Sequence, residues 1–210
     1  MIDWTKPKTE KFIKSHLNEV SWYYISKCQK LTEKFIKEHK DLVSWYYISQ
    51  YQKLTEKFIK EHKDLVSWYC ISKYQKLTEK FIKEHELTIR DNSWLYTSTK
   101  DKIDYIKKNT KYKVIKNKYI VAYKSIRSDN YSVFNFQYKY LVGKTYESHC
   151  DCNLDNENSF GLSAWTEEKA LEYHSTGKLL KVKINIEDIG AIVHSGNKIR
   201  CFKFEVLKEV

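Results

Sequence analysis

The sequence predicts an α+β protein in which an N-terminal array of α-helical hairpins, a short α-solenoid, precedes a small and mostly antiparallel α+β domain. Residues 44–66, SWYYISQYQKLTEKFIKEHKDLV, occur three times almost unchanged, and such self-similarity is typical of repeats that bury their apolar faces against each other. Beyond about residue 117 the repeats give way to short, strand-like alternating patterns. We therefore predict a repeat array over residues 1–116 and a small α+β domain over residues 117–210.

The repeats are not expected to form one unbroken helix. Equivalent tryptophans at Trp22, Trp45 and Trp68 are 23 residues apart, and this interval advances a straight helix by six turns plus roughly 140°. The same side chain would point in a different direction in each copy, so no single face would be buried. We expect the chain to turn back within every unit.

The second half of each unit predicts an amphipathic helix. In the first complete copy the apolar side is formed at helical spacing by Leu31, Phe35, Ile36, His39, Leu42 and Val43. Thr32 is the expected N-cap, and Leu31 is placed to pack on Ile36. The histidine on this side recurs in every copy, and we expect it to stack or hydrogen-bond in the core rather than to bind a metal.

The first half of each unit, SWYYIS, is compatible with two structures. Its aromatic and β-branched residues suit a strand, whereas Trp45, Ile48 and Gln52 share one face of a helix. We predict a helix, because a hairpin of two helices needs no sheet partner. The alternative is a βα horseshoe, although the spacing of leucine-rich repeats is missing.

The positive charge is concentrated where the two predicted domains meet. The net charge is +11, and residues 96–124 carry nine lysines against two aspartates. Lysines interleaved with tyrosines predict a surface on which cations follow a phosphate backbone while rings stack on bases. The candidate nucleic-acid or partner-binding residues are Lys107, Lys108, Lys111, Lys113, Lys116, Lys118 and Tyr112. The alternative is the solvated face of a last capping helix.

The C-terminal part predicts short strands and one helix. Strands are expected at residues 119–123, 144–147, 179–186, 191–194 and 198–206, and a helix capped by Thr166 at residues 167–174. In the last strand Phe202 and Phe204 share one face, whereas Cys201 falls on the other side. A bulge near Cys201 would reconcile the two halves.

The five cysteines are expected to be free thiols in a reducing compartment, since their number is odd and their spacing fits no disulfide framework. His149, Cys150 and Cys152 offer donors that zinc prefers. Two cysteines separated by one residue rarely reach the same ion. We therefore predict no metal, and a zinc site closed by Cys201 or His194 is the alternative.

Three segments of the C-terminal part carry a resemblance to a known domain. They are FQYKYLVGKTYE at 136–147, SFGLSAWTEEKALEYH at 159–174 and NKIRCFKFEVL at 197–207. Together they resemble a small domain of unknown function that is common in bacteriophage and large-virus proteins, and the repeats resemble arrays from the same kind of genome. The resemblance implies a fold and a viral or phage setting, but no established activity.

The order of certain residues is also similar to that of ADP-ribosyltransferases. In those enzymes an early strand holds NAD, a later segment supplies Ser or Tyr before a helix, and a final strand carries a catalytic Glu that stabilises an oxocarbenium-like transition state. This likeness implies that Tyr123 and Lys124 bind NAD. It also implies that Ser163, Tyr173 and Glu205 are catalytic.

We expect a non-catalytic interaction protein of viral or phage type, whose repeat arm and small domain engage a host protein or nucleic acid without a cofactor. The alternative is an ADP-ribosyltransferase that uses NAD on a macromolecular target. The sequence has no apolar run of membrane-spanning length and no signal-like N-terminus. This predicts a cytoplasmic location, in the host cytoplasm for a viral protein, and leaves the oligomeric state open.

Overall fold

A computed structural model describes residues 2–88, 93–134, 138–174 and 176–210, without the side chain of Ser93. The chain divides into two compact units, Met1–Arg90 and Asp91–Val210, here called the repeat arm and the sheet unit. The described part of the first is helical, and the second combines an antiparallel sheet with helices. The predicted α+β class, a helical repeat array followed by a mostly antiparallel domain, is confirmed.

Pairs of short helices recur along the repeat arm. They are α1 (Glu10–Lys14), α2 (Trp22–Cys28), α3 (Glu33–Glu38), α4 (Trp45–Tyr51), α5 (Glu56–Glu61), α6 (Trp68–Tyr74) and α7 (Glu79–Glu84). The helix predicted for the SWYYIS half of each unit is therefore confirmed, and the βα alternative is wrong. Thr32 also caps α3 as predicted, because its hydroxyl accepts the Phe35 N–H at 3.1 Å.

The core of the repeat arm lies between the two helices of each unit and between neighbouring units. Ile25, Ile48 and Ile71 are fully buried, and α4 packs against both α2 and α6. His39 stacks on Phe35 with ring centroids 4.2 Å apart. Its Nδ1 lies 2.9 Å from the Phe35 carbonyl, so Nδ1 carries the proton. The histidine is thus a stacked, hydrogen-bonded core group, as predicted.

A buried glutamine joins each unit to the preceding one. The Gln52 side chain donates from Nε2 to the carbonyls of Ser26 at 2.9 Å and Gln29 at 2.8 Å, and its Oε1 accepts the Leu31 N–H at 3.1 Å. Gln75 makes the corresponding three contacts one unit later. These amides satisfy backbone groups that the short helices leave unpaired, so the glutamine ladder fixes how successive hairpins stack.

The described residues of the sheet unit form three helices, a short 3₁₀ turn and eight strands. These are α8 (Ser93–Tyr96), α9 (Thr99–Asn109), β1 (Val114–Ile115), β2 (Tyr119–Ile126), β3 (Thr145–Glu147), β4 (Leu162–Trp165), α10 (Glu167–Tyr173), β5 (Lys178–Asn185), the turn Ile186–Asp188, β6 (Ile189–Val193), β7 (Lys198–Cys201) and β8 (Lys203–Glu209). The strand order is β3-β8-β5-β2-β4-β7-β6, β1 also pairs with β2, and every pairing is antiparallel.

Helix α9 belongs to the sheet unit, although the sequence predicted the boundary after residue 116. Its apolar side carries Ile103 and Ile106, which lie in one core cluster with Ile120 of β2. The Lys102 ammonium donates to the Ile189 carbonyl at 2.8 Å. These contacts place the division between Arg90 and Asp91.

The last predicted strand is interrupted at Phe202. β7 ends at Cys201 and pairs with β4 and β6, whereas β8 starts at Lys203 and pairs with β3 and β5. Cys201 and Phe204 are both buried in the core cluster. The irregularity predicted near Cys201 is therefore present, as a break between two strands. Thr166 is the N-cap residue of α10 as predicted, but its hydroxyl makes no capping hydrogen bond and has no partner among the described residues.

Candidate nucleic-acid interface and candidate active site

The predicted lysines form an exposed strip on the sheet unit. This lysine strip comprises Lys107, Lys108, Lys111, Lys113, Lys116 and Lys118, all of which are exposed. It runs from the last turn of α9 into the hairpin that joins β1 to β2. Lys116 and Asn117 have φ of 52° and 53°, the left-handed pair that closes a tight hairpin. The strip therefore lies on ordered backbone.

Tyr112, predicted to stack on a base, is a core residue. Its ring is buried with Ile120 and Ile199, and its hydroxyl donates to the Asn197 carbonyl at 2.6 Å. Burial raises the pKa of this phenol above its usual value. Tyr112 anchors the segment and leaves Lys111 and Lys113 outside, so the strip offers cations without this ring.

The positive charge at the strip is smaller than the sequence count implies. Lys102 and Lys124, two of the nine lysines between residues 96 and 124, are buried. Among the strip residues only Lys111 forms an ion pair within the described part of the chain, at 3.4 Å from Glu168. Both partners are exposed, so this pair is weak and easily exchanged for another anion.

The residues aligned with transferase catalysis are not brought together. Ser163 lies on β4 and Glu205 on β8, with β5 and β2 between them. Three interstrand spacings separate these strands by about 14 Å along the sheet. Glu205 pairs instead with Lys183 at 3.3 Å. Tyr173, at the end of α10, contacts the Trp165 ring at 5.2 Å.

The two residues aligned with NAD binding point to opposite faces of β2. Tyr123 packs with Trp165 on the side that α10 covers. Lys124 is buried on the other side, where its ammonium donates to the Ser163 carbonyl at 3.0 Å and lies 5.0 Å from the centre of the Tyr140 ring. The Ser163 hydroxyl takes no part in this contact, so the Lys124 side chain reaches only the backbone carbonyl of Ser163.

The positive charge of the buried Lys124 ammonium is unfavourable, because no carboxylate pairs with it within the described residues. Burial lowers the pKa of Lys124 to about 8. The folded state therefore binds this proton less tightly than the unfolded chain does. As a result, the free energy of unfolding is lowest below pH 8 and increases as the pH rises towards 10.5. The full shift corresponds to about 3 kcal/mol.

Replacing Lys124 with methionine is expected to stabilise the sheet unit at pH 7, and the gain over the parent chain should shrink by about 3 kcal/mol by pH 10.5. Denaturant unfolding of both chains at a series of pH values measures this difference. The subtraction removes the opposing contribution of Tyr140, whose pKa is raised by burial. Lys208→Met, at an exposed position, is the control. A pH-independent difference for Lys124→Met would contradict the assignment.

A second buried polar group, absent from the sequence prediction, is Arg200 on β7. Its side chain is fully buried and its guanidinium donates to the backbone carbonyls of Asp151, Asn153 and Asn156. The buried Asp151 carboxylate accepts from the Asn153 N–H and the Asn156 amide, each at 2.9 Å. Arg200 thus fastens the loop that precedes β4.

Lys198 lies two residues earlier on the same face of β7. Its ammonium donates to the Asn158 side chain at 3.0 Å and to the Glu157 carbonyl at 3.3 Å, and lies 5.0 Å from the centre of the Trp165 ring. Burial, and secondarily the charge of Arg200, lowers the pKa of Lys198 to about 8. Lys198 and Arg200 therefore form a pair of cations covered by one loop.

His194 completes this cluster at the tip of the β6–β7 hairpin. Its Nε2 lies 3.2 Å from Asn158 Oδ1, the atom that also accepts from Lys198. An ammonium only donates, so the shared oxygen is an acceptor and His194 Nε2 carries a proton. Its Nδ1 lies 3.6 Å from the Glu157 carboxylate. These contacts of Lys198 and His194 are made to residues 157 and 158 of this loop, so the arrangement holds the loop in place.

The cysteines do not form a metal centre in the described part of the chain. Cys150, Cys152 and Cys201 are buried free thiols, and no group of three His, Cys, Asp or Glu side chains among the described residues is arranged to hold a metal. Burial raises the pKa of the Cys150 and Cys201 thiols, which makes them poor nucleophiles. No described helix is both long and apolar enough to cross a membrane.

Comparisons with known proteins add no relative to this description. No protein-family model, curated protein or solved structure matches the chain.

Proposed function

We propose that this chain is a non-catalytic interaction protein whose sheet unit binds the phosphate backbone of nucleic acid through the lysine strip. The observation that carries the proposal is the exposure of six neighbouring ammonium groups, of which only Lys111 has an ion-pair partner among the described residues. Such a surface neutralises phosphates and releases counterions, which gives strong and salt-dependent binding.

The strip supports binding by charge rather than by base recognition. Tyr112 is buried, and the Tyr119 ring is half-buried with the Lys183 ammonium 5.3 Å from its centre. Neither ring is free for a base. Phosphate contacts fix position without reading sequence, so the proposal is for sequence-independent binding in which duplexes are accepted.

The proposal includes a viral or phage origin and action on nucleic acid in the host cytoplasm. What supports this part is the resemblance of three C-terminal segments to a phage and large-virus domain. The near identity of the repeats, which extends to exposed positions, indicates recent duplication. The separation of Ser163 from Glu205 favours binding over the transferase alternative.

The test is the salt dependence of binding to a random-sequence DNA duplex, measured by fluorescence anisotropy with the full chain. For duplex DNA the slope of log K against log salt is about −0.9 per phosphate neutralised. Lys113→Gln with Lys116→Gln should make the slope shallower by about 2 and weaken binding equally for unrelated sequences. Lys144→Gln with Lys208→Gln removes the same charge from exposed positions outside the strip and should leave the slope unchanged. Equal effects of the two double variants would show that the lysine strip is not the DNA-binding surface.

A further inference from the structure

The repeat arm carries a second cationic surface, formed by the first helix of each unit and the turn that follows it. Residues 21–32, 44–55 and 67–78 contain no Asp or Glu. Each of the three segments has an exposed lysine two residues before its end, and these are Lys30, Lys53 and Lys76. We call this surface, with the tyrosines of α2, α4 and α6, the tyrosine face.

Most acids of the three units lie on the second helix, whereas Asp41 and Asp64 lie in the turn that follows it. Glu38, Glu61 and Glu84 each pair with a lysine of the preceding unit, at 2.5, 3.5 and 2.6 Å. The Glu33 carboxylate accepts the Thr55 N–H of the next unit at 2.6 Å. In contrast, Lys53 and its equivalents in the neighbouring units make no ion pair or hydrogen bond among the described residues. The charge that the tyrosine face presents is therefore positive and uncompensated.

The first helices of the units also carry exposed tyrosine rings. Tyr24 and Tyr46 are about half exposed, at 41% and 49%, and within the described chain no ammonium lies over either ring. Tyr46 meets Tyr47 edge to face with centroids 5.3 Å apart. In the first unit the Lys27 ammonium lies 5.4 Å from the Tyr23 ring and 5.7 Å from the Tyr47 ring. Gln50 replaces that lysine in the middle unit. Of the three equivalent rings Tyr23, Tyr46 and Tyr69, only Tyr46 therefore has no ammonium over it among the described residues.

The face repeats with the helices. α4 packs beside α2 and α6, and helices in such contact lie about 8–10 Å apart. Lys30, Lys53 and Lys76 therefore recur at nearly constant intervals along one direction, and so do the rings of Tyr23, Tyr46 and Tyr69. Lys27 and Lys73 lie over the first and third of these rings. A surface of this kind matches a linear ligand that also repeats an anion and a planar group, because each unit can then make the same contact and the contacts add through avidity.

We propose that the tyrosine face binds single-stranded nucleic acid, with phosphates on the turn lysines and unpaired bases on the open tyrosine rings. A basic groove combined with aromatic rings is the general solution for single strands, since every base has a face that can stack. A duplex keeps its bases stacked inside and cannot use these rings. An acidic polypeptide satisfies the lysines but leaves the rings unused. The proposal is independent of the lysine strip, because it uses residues of the other unit.

The test compares two triple variants of the full chain, each losing three charges at a spacing of 23 residues. Lys30→Gln with Lys53→Gln and Lys76→Gln removes the cations of the tyrosine face. The control replaces Lys34, Lys57 and Lys80, which lie on the second helices and pair with the glutamates there. Anisotropy with labelled oligo(dT) at about 0.1 M salt should show at least 10-fold weaker binding for the face variant, and less than a twofold change for the control.

Tyr46→Leu tests the stacking contribution. We expect about 10-fold weaker binding of oligo(dT) and no change for a duplex of equal length. Tyr173→Leu, at a similarly exposed tyrosine of the sheet unit, is the control, and far-UV circular dichroism confirms that each variant keeps its helices.

Three outcomes would overturn the proposal: equal losses for the face and control triples, competition by poly-glutamate as effective as by oligo(dT), or equal losses of duplex and single strand on Tyr46→Leu. The strip double variant separates the two proposals. If the strip double variant abolishes all binding while the face triple variant has no effect, the tyrosine-face proposal is wrong and the lysine-strip proposal is supported. The reverse result contradicts the lysine-strip proposal and supports the tyrosine-face proposal.

Discussion

Replacing Gln52 with leucine is expected to lower the free energy of unfolding of the repeat arm by about 4 kcal/mol. Leucine fills a similar volume but makes no hydrogen bonds. The substitution leaves the Ser26 and Gln29 carbonyls and the Leu31 N–H without their partners in a buried position. Each unpaired buried group costs about 1–3 kcal/mol, partly offset by the apolar side chain.

Urea unfolding followed by far-UV circular dichroism measures the loss, and hydrogen exchange locates it. The Leu31 amide should exchange faster by up to about a thousandfold, the equivalent of 4 kcal/mol. Gln50→Leu is the matched control, since Gln50 lies in the last turn of α4, two residues before the C-cap Gln52, and makes no side-chain hydrogen bond among the described residues. If Gln50→Leu and Gln52→Leu unfold at the same urea concentration, the glutamine ladder does not join the repeats.

The second large effect is expected for Arg200→Met, which should destabilise the sheet unit by about 3–5 kcal/mol. The guanidinium fork is the common donor to three loop carbonyls. Its loss leaves these carbonyls without the donors that the fully buried Arg200 side chain supplies. Arg200→Lys should recover only part of the loss, because one ammonium cannot replace a planar fork that spans three acceptors.

Thermal unfolding and limited proteolysis measure this prediction. Cleavage should appear first within residues 151–158, the loop that Arg200 holds. Arg127→Met serves as the control, since Arg127 is exposed and pairs with Asp129 on the surface, where such pairs contribute little. Proteolysis of Arg200→Met at the same sites and rates as the parent chain would show that the guanidinium does not hold the loop.

The repeat arm was largely predictable because its helices obey local rules. The 23-residue period, the Thr32 cap and the apolar stripe of the second helix depend on neighbours in sequence. The glutamine ladder was not predicted. Gln52 bonds to backbone 21 to 26 residues away, and hydropathy shows only that it shares a face with Trp45 and Ile48. A polar residue at the same core-facing position in every copy was the available signal.

The sheet unit was predictable in its elements but not in its arrangement. The sequence offered a last capping helix in the lysine-rich segment, yet it could not show whether Ile103 and Ile106 of α9 pack on a hairpin or on a sheet. Chain order likewise placed Ser163 and Glu205 in transferase-like positions, whereas strand order separates them.

The buried cations were missed for a similar reason. The alternation of Lys198 and Arg200 with Ile199 reads as a half-exposed strand. The charged side is buried by the loop over residues 151–158, and the sequence of this loop shows no pattern from which that contact could be predicted. Likewise, Tyr112 between Lys111 and Lys113 was interpreted as part of a binding surface, although the same alternation places it in the core.

The measurement that tests the proposed function most directly is a lysine footprint. The full chain is acetylated briefly with and without a DNA duplex, and the modified lysines are quantified by mass spectrometry. We predict protection of Lys113, Lys116 and their neighbours in the lysine strip, with no change at Lys144 and Lys208. Uniform modification of all these lysines at saturating DNA, or protection at Lys144 and Lys208 alone, would contradict the proposed interface.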